Sequence, residues 1–320
     1  MRVHVLSIGD ESTASTHFRF LQYTELLRER GIELVLHARA TVGPELFRRL
    51  QGEVVVLQKI LLSRRQLRLL ERCARRLVFD FDDAIWTRPG RPFSPPTRWR
   101  VRRRLRRCLR AADAVTVASE YLAAYARRHT TRCERIPMAI DCGAWQPRLG
   151  AQRDNVVVGW TGSPVNLPFL DAVAPALRRL LDERNDVEVR IYCGRRPELP
   201  FPFRYQEYAP GTEAAFVREL DVGLCPLEDH EFARGKSPIK ILQYLACGVP
   251  VVASKVGASS ELLEPAWSPV ENGAGWYEAL AELTADPAGR AAMAAAGRQY
   301  VDSTHDLGVV AERLQGVLVG

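Results

Sequence analysis

Residues 236–254 read Lys-Ser-Pro-Ile-Lys-Ile-Leu-Gln-Tyr-Leu-Ala-Cys-Gly-Val-Pro-Val-Val-Ala-Ser, and no other stretch limits the fold as strongly. Ser237 followed by Pro238 predicts a helix start, because a serine oxygen caps free backbone N–H groups and proline's missing N–H costs nothing in the first turn. Gly248 predicts the helix end, at the position that needs left-handed backbone, and Val249 to Ala253 then run as a compact apolar strand. Ile239, Leu242 and Ala246 fall on one helical face, and Lys240 and Gln243 share another. With Lys236 just upstream, two ammonium groups stand at or before a helix N-terminus, whose partial positive charge favours anions by about 0.3–1 kcal/mol. The sum is an anion site; the alternative is a solvated, capped surface helix. Of the 45 basic residues only Lys59, Lys236, Lys240 and Lys255 are lysine, so the cluster stands out in a chain that otherwise uses arginine.

The same grammar opens both halves of the chain. Val3 to Ile8 alternates like a strand and ends at Gly9-Asp10; a helical pattern follows through Phe18, Leu21, Leu26 and Leu27, and Gly31 closes it before a second strand, Ile32 to His37. This βαβ start belongs to doubly wound α/β sheets, whose ligands bind at the carboxyl ends of strands. It places the loop 10–19, with His17 and Arg19, at a functional rim. No G-x-G-x-x-G is present, so dinucleotide binding is not supported. Val156 to Thr161 restarts the pattern, with Gly162 and then Ser163-Pro164 as a second helix start. Two such N-termini converging on one crevice would bind a diphosphate without a metal ion. Between them lie strand patterns at Val54 to Leu57, Leu77 onward, Ala114 to Ser119, Val187 to Cys193, Arg204 to Tyr208 and Val222 to Cys225. Helices are expected over Leu61 to Arg76 and Glu213 to Leu220, and a charged loop over Leu227 to Gly235.

At 320 residues, 47% hydrophobic and 26% charged, the chain has the size and composition of a globular protein with two domains. Charge divides at mid-chain. Residues 1–150 hold 29 Lys+Arg against 15 Asp+Glu, a net +14, and residues 151–320 hold 16 against 23, a net −7. Eight of the arginines fall between Arg98 and Arg110, around a narrow stripe of Trp99, Val101, Leu105, Cys108 and Leu109. A basic amphipathic helix of this kind suits an anionic membrane surface or a polyanion, or is simply a solvated face. Nucleic acid is the weaker partner, since no recognition module or aromatic stacking platform accompanies the arginines. The N-terminus lacks a secretory h-region and no apolar run nears the roughly 18 residues of a span, which predicts a cytoplasmic chain, peripheral at most on the inner membrane face. Seven dispersed cysteines with no C-x-x-C predict reduced, mostly buried thiols.

The run from Lys236 to Ser254 resembles the donor-binding segment of nucleotide-sugar glycosyltransferases of the GT-B fold, especially the retaining family 4. Arg135-Ile-Pro-Met-Ala-Ile-Asp-Cys-Gly-Ala-Trp145 is similar to the family's interdomain connector. The resemblance implies two Rossmann-like doubly wound domains facing across a cleft: residues 1–147 on the acceptor side, 148–303 binding the donor, and a terminal helix, 304–320, crossing back to the first domain. The linker is expected near Gln146 to Asn155. Family members typically carry Glu-x7-Glu in the donor segment, and here Gln243 occupies the second Glu position, with Lys236 next to the first. Glutamine still hydrogen-bonds a ribose hydroxyl, though not as an anion.

The implied function is transfer of a sugar from a nucleoside diphosphate donor, UDP- or GDP-linked, to a hydroxyl acceptor, with retention and without a cofactor or metal. Lys236 and Lys240, aided by Arg234, would stabilise the leaving diphosphate. Gly162, Ser163, Ser237 and Ile239 would border it, Gly194 and Tyr208 the base, and Gln243 the ribose. The Asp80, Asp82, Asp83 cluster contains a D-x-D that holds metal in GT-A enzymes. Here Asp82 and Asp83 stand where the GT-B loop covers the transferred sugar, so that one of them accepts the acceptor's proton or bonds the sugar, with His17 and Arg19 reaching acceptor or sugar from the first loop. A helix-capping acidic cluster is the other reading of the aspartates, and ordinary first-turn residues the other reading of His17 and Arg19. Two rivals share the motifs: a nucleotide-sugar epimerase or sugar phosphorylase on the same fold, and a non-catalytic sugar-nucleotide or membrane-surface binding module.

Overall fold

Two parallel sheets of six strands each carry the chain, and the computed structural model describes residues 1–88, 90, 92–148, 155–262, 266–271 and 275–320. Residues 149–154 of the expected linker, and Pro89 and Arg91 of the proline-rich loop, lie outside the described residues. The chain divides into two units. The first comprises Met1–Ala139, His230–Ser237 and Leu307–Gly320; the second comprises Ile140–Asp229 and Pro238–Asp306.

In the first unit the elements are β1 (Arg2–Ser7), α1 (Ala14–Arg19), α2 (Thr24–Glu29), β2 (Glu33–Ala38), α3 (Pro44–Arg49), β3 (Val54–Gln58), α4 (Arg64–Cys73), β4 (Arg76–Phe81), α5 (Pro95–Ala111), β5 (Ala114–Val117), α6 (Glu120–Arg127) and β6 (Cys133–Arg135). The strand order is β2-β1-β3-β4-β5-β6, so the winding reverses between β1 and β3. Every residue of β3 is buried, as expected of an apolar run covered on both faces of a parallel sheet. Val3, Val54, Val56 and Val78 pack with Phe20, Tyr23 and Leu27 in one core cluster. Val310, Leu314 and Val317 of the terminal helix complete that cluster.

Helix α5 departs from expectation in what its stripe does. Leu105, Cys108 and Leu109 are buried in the unit itself, and only Trp99, 62% exposed, stands out at the amino end. Three of the five stripe positions are thus spent on the fold, and Val101 is half-buried. Helix α4 is shorter than its pattern. Ser63 and Gln66 form a reciprocal capping box that fixes the start at Arg64.

The second unit runs β7 (Val156–Thr161), a 3-10 helix (Pro164–Ala172), α7 (Ala174–Glu183), β8 (Val187–Cys193), β9 (Arg204–Glu207), α8 (Glu213–Arg218) and β10 (Val222–Cys225). After α9 (Glu231–Arg234), which belongs to the first unit, come α10 (Ile239–Ala246), β11 (Val251–Ser254), β12 (Ser268–Val270), α11 (Trp276–Ala285) and α12 (Pro287–Thr304). The chain ends in α13 (Leu307–Val319), again in the first unit. The order β12-β11-β10-β7-β8-β9 is the doubly wound arrangement with its switch point between β7 and β10.

Neither Ser-Pro dipeptide caps as the sequence suggests. Pro238, not Ser237, is the N-cap of α10, and it has no side-chain cap; the first bond runs from Leu242 N–H to the Pro238 carbonyl. Ser163 does stand at an N-cap, but its hydroxyl accepts from the Asn166 amide at 3.0 Å rather than from a backbone N–H. Pro168 explains the tighter winding that follows: it has no N–H to return to the Pro164 carbonyl, so the i→i+4 ladder cannot start. At the far end of α10 the expectation holds. Gly248 has φ +65°, its N–H bonds Leu245 O and that of Val249 bonds Tyr244 O, both at 3.0 Å, the paired closure of a Schellman motif.

Candidate functional site

The polar groups of the first unit gather at the carboxyl ends of β1, β3 and β4, around its switch point. Asp80, the last-but-one residue of β4, is fully buried. It accepts from Thr116 Oγ1 at 2.7 Å and from the Arg19 guanidinium, whose Nη1 also donates to Ile136 O at 2.6 Å. Burial works against the Arg19 charge, and Asp80 more than offsets it, so the guanidinium is held above its usual range. Arg19 is therefore an interior brace for Asp80, not an arm reaching toward a sugar. His17, two residues earlier, lies on the exposed side of α1.

Beyond the strand end the chain turns out Asp82 and Asp83. Asp82 accepts from Ser15 Oγ at 2.8 Å and pairs with Lys59 Nζ at 2.6 Å. Lys59 also pairs with Asp83. Lys59 is only 9% exposed and has φ +56°, the one non-glycine residue in the left-handed region among the described residues. Burial would lower its pKa, but the two carboxylates hold it above the usual lysine range. Asp83 moves the other way. Burial, then the Asp82 charge, raises its pKa, against the opposing pull of Lys59 and Lys236. Gln58 donates to Ser15 O at 3.0 Å, while its own Oε1 and the Thr16 hydroxyl are buried with no partner.

Lys236 reaches this cluster because residues 230–237 return to the first unit. His230 caps α9, its Nδ1 accepting from Ala233 N–H at 3.1 Å; Glu231 accepts from Trp86 Nε1 at 2.9 Å and from Arg102 at 3.2 Å. Gly235 then passes against the Asp83-Ala84 turn so closely that a Cβ on it would sit 2.5 Å from Ala84 Cβ and 2.7 Å from Ala84 N. Only a glycine passes there without displacing the strap.

In the second unit the corresponding place is the β7/β10 switch point. Thr161 ends β7; its N–H donates to Tyr244 OH at 3.0 Å, and its hydroxyl is buried without a partner. Tyr244 is itself seated on the sheet. A Cβ at Gly223 would come within 2.7 Å of its ring. Next to it Gln243 is 1% exposed with Oε1 unpartnered, and one turn earlier Lys240 pairs with Glu213 at 3.2 Å. A buried orphan acceptor costs roughly 1–3 kcal/mol and calls for an explanation.

The residues singled out in the sequence thus separate into two groups. Asp82, Asp83 and Lys236 come together in the first unit, with Arg234 exposed on α9 and Ser237 half-buried; Gly162, Ser163, Gly194, Tyr208, Ile239, Lys240 and Gln243 lie in the second. Lys236 and Lys240, expected to share one anion site, fall in different units. Gln243, expected on the same polar helical face as Lys240, is enclosed. Ser163 and Gly194 are exposed at strand carboxyl ends, and Tyr208 is 44% exposed with its ring edge-on to Tyr192 at 5.6 Å. Lys59, Ser15, Thr161 and Glu213 were not anticipated. Lys59 alone carried a signal, as the one lysine remote from the C-terminal cluster.

Among the described residues no three or more His, Cys, Asp or Glu side chains gather as a metal site, and the D-x-D carboxylates are taken by Arg19 and Lys59. Among the same residues no helix is long and apolar enough to cross a membrane.

A family profile described as "Glycosyl transferase-like" matches residues 173–316. A segment of 83 residues is 41% identical to a GDP-mannose-dependent monoacylated alpha-(1-6)-phosphatidylinositol monomannoside mannosyltransferase of Corynebacterium glutamicum; it covers 25% of this chain and 22% of that relative. The structure is similar over almost its whole length to a sucrose-phosphate synthase from Thermosynechococcus elongatus (TM-score 0.76, 16% identity, 99% of this chain and 98% of the other). HepE of Anabaena, solved in complex with UDP and glucose, is similar with TM-score 0.69 and 14% identity over 100% and 99% of the two chains. WaaG, a glycosyltransferase involved in lipopolysaccharide biosynthesis, is similar with TM-score 0.67 and 15% identity over the full length of both. At these identities the structural likenesses establish the fold.

Proposed function

We propose that this chain, which has the two-unit α/β fold of GT-B glycosyltransferases and matches a glycosyltransferase-like profile over residues 173–316, moves a sugar from a nucleoside diphosphate to a hydroxyl acceptor. The observation that carries the donor assignment is Gln243. It stands in the segment that resembles the family's ribose-binding position, it is enclosed, and its Oε1 has no partner. A ribose hydroxyl supplies the missing donor. The unpaired Thr161 hydroxyl at the switch point offers a second polar group for the same ligand. Lys240 lies one turn before Gln243 and exchanges Glu213 for the diphosphate, where its charge counts most as the leaving group becomes more anionic.

The first unit supplies the acid–base group. Asp83 has a raised pKa and two ammonium groups beside it, the combination that lets a carboxylate take a proton from an acceptor hydroxyl. Asp82, held by Ser15 and Lys59, is the fixed member of the pair. Because Asp80, Asp82 and Asp83 are each matched by a protein cation, metal-independent transfer is the version we favour, with retention following from the family resemblance.

Turnover decides among the readings. With UDP- or GDP-sugars and a hydroxyl-bearing extract, in EDTA, labelled sugar should move to an acceptor, and Gln243→Ala should raise the donor KM about tenfold, the cost of one lost hydrogen bond of about 1.4 kcal/mol. Isomerised sugar or free sugar phosphate without acceptor would identify an epimerase or phosphorylase; nucleotide binding without any product would identify a binding module.

A further inference from the structure

The groove between α5 and α6 of the first unit plays no part in the reading above, yet it is a built concavity of about 450 Å3, within the range of small-molecule pockets. Helix α5 brings Trp99, Arg103 and Arg106 to it at helical spacing, and α6 brings Tyr121 and Tyr125, with Arg128 at its C-cap, three to four residues apart. Ala124 keeps the α6 wall low between the two tyrosines. The floor is packed: Trp86 is 2% exposed, and its ring lies parallel to Tyr125 with centroids 3.8 Å apart and 6° between planes.

The electrostatics of the groove are one-sided. Its single carboxylate, Glu231, is committed to Trp86 Nε1 and Arg102. Among the described residues Arg103, Arg106 and Arg128 have no carboxylate within ion-pair distance. His129, at the same wall, has its pKa lowered first by burial and then by Arg110 and Arg106, so the local field already resists one more positive charge. A row of guanidiniums over an aromatic floor matches the planar, bidentate recognition of phosphate. At the amino end of α5 the indole of Trp99, with Arg103 4.9 Å from its ring centroid, gives an exposed flat apolar face beside those charges. A solvated membrane-facing helix needs neither the facing stripe on α6 nor the stacked floor.

We infer that this groove binds a phosphate-bearing sugar, the phosphate among Arg103, Arg106 and Arg128 and the sugar ring against Trp99, and that this is the anionic portion of the acceptor. The acceptor role rests on the glycosyltransferase reading; the binding itself does not.

The test is a tryptophan-fluorescence or calorimetric titration of the full chain with glucose 1-phosphate, with inorganic phosphate and glucose as the separated parts, and a sedimentation arm with phosphatidylcholine vesicles with and without phosphatidylinositol. Glucose 1-phosphate should saturate at least tenfold more tightly than either part alone. Arg106→Ala combined with Arg128→Ala should weaken it at least tenfold with UDP and GDP binding unchanged, and Trp99→Ala should reduce it to the level of inorganic phosphate. Binding of phosphatidylinositol vesicles that depends on the same arginines assigns the phosphate to a lipid-linked sugar alcohol; binding of the soluble phosphate alone assigns it to a free sugar phosphate. Equal binding by wild type and the double variant in both arms overturns the inference. If the groove binds but neither UDP nor GDP does, the groove assignment stands and the glycosyltransferase reading fails.

Discussion

Lys59 holds a left-handed backbone that lysine rarely takes, and the two carboxylates it satisfies explain why the fold tolerates it. Nothing in the sequence around Gln58-Lys59-Ile60 reveals that φ, which depends on Asp82 and Asp83 arriving from β4. Lys59→Met leaves the buried Asp82 with only the Ser15 hydroxyl and takes one of two ammonium groups from the half-buried Asp83, and should cost about 3–5 kcal/mol in urea unfolding; a loss under 1 kcal/mol would mean that Lys59 is not what holds the buried carboxylate. Asp83 gives a pH prediction. Its raised pKa means the ionised, proton-accepting form appears only as pH climbs through that raised value, so kcat/KM should rise on the acidic side. Lys236 favours the ionised form, so Lys236→Ala should move that limb to higher pH, lowering kcat/KM on the acidic side with little change well above the limb. The same sign rule applies to stability: a carboxyl whose folded pKa is raised contributes at low pH, and that contribution is lost as pH rises through it.

At the level of elements, helix and strand order was legible because apolar periodicity and glycine punctuation are local, and β8 and β10 fall on the residues their patterns predict. Helix starts were not, because a cap depends on where the preceding proline directs the chain: Ser237 is one residue too early and Ser163 bonds a side chain. The strap 230–237 was unreadable for another reason. Its charged, loop-like composition conceals α9 and a return to the first unit that long-range contacts alone define. Gly235 makes it testable. Gly235→Ala must push the strap off Ala84, and with it Lys236 off Asp83, so kcat/KM should fall on the acidic side, as in Lys236→Ala, while UDP or GDP affinity is kept; Ala84→Gly in the same chain should restore part of the rate. Loss of nucleotide affinity together with rate would show that the substitution harms more than the strap.

Across the whole molecule the charge split seen in the sequence has two physical homes. The basic excess lies largely on α4 and α5 of the first unit, and the second unit carries its switch point with Lys240 matched to Glu213. That two doubly wound sheets would form was plain from two βαβ starts. Which side chains would be enclosed was not: burial of Gln243 and Arg19 is set by how the helices seat on the sheets, which residue spacing does not encode. The central claim is that the second unit holds a nucleoside diphosphate at the β7/β10 switch point without a divalent ion. Isothermal titration of UDP and of GDP into the full chain in EDTA tests it most directly, with Lys240→Ala as the comparison. The account predicts saturable one-site binding of at least one nucleotide, unchanged by added Mg²⁺ and weakened about tenfold or more in the variant; no binding until Mg²⁺ is added, or equal affinity in the variant, would contradict it.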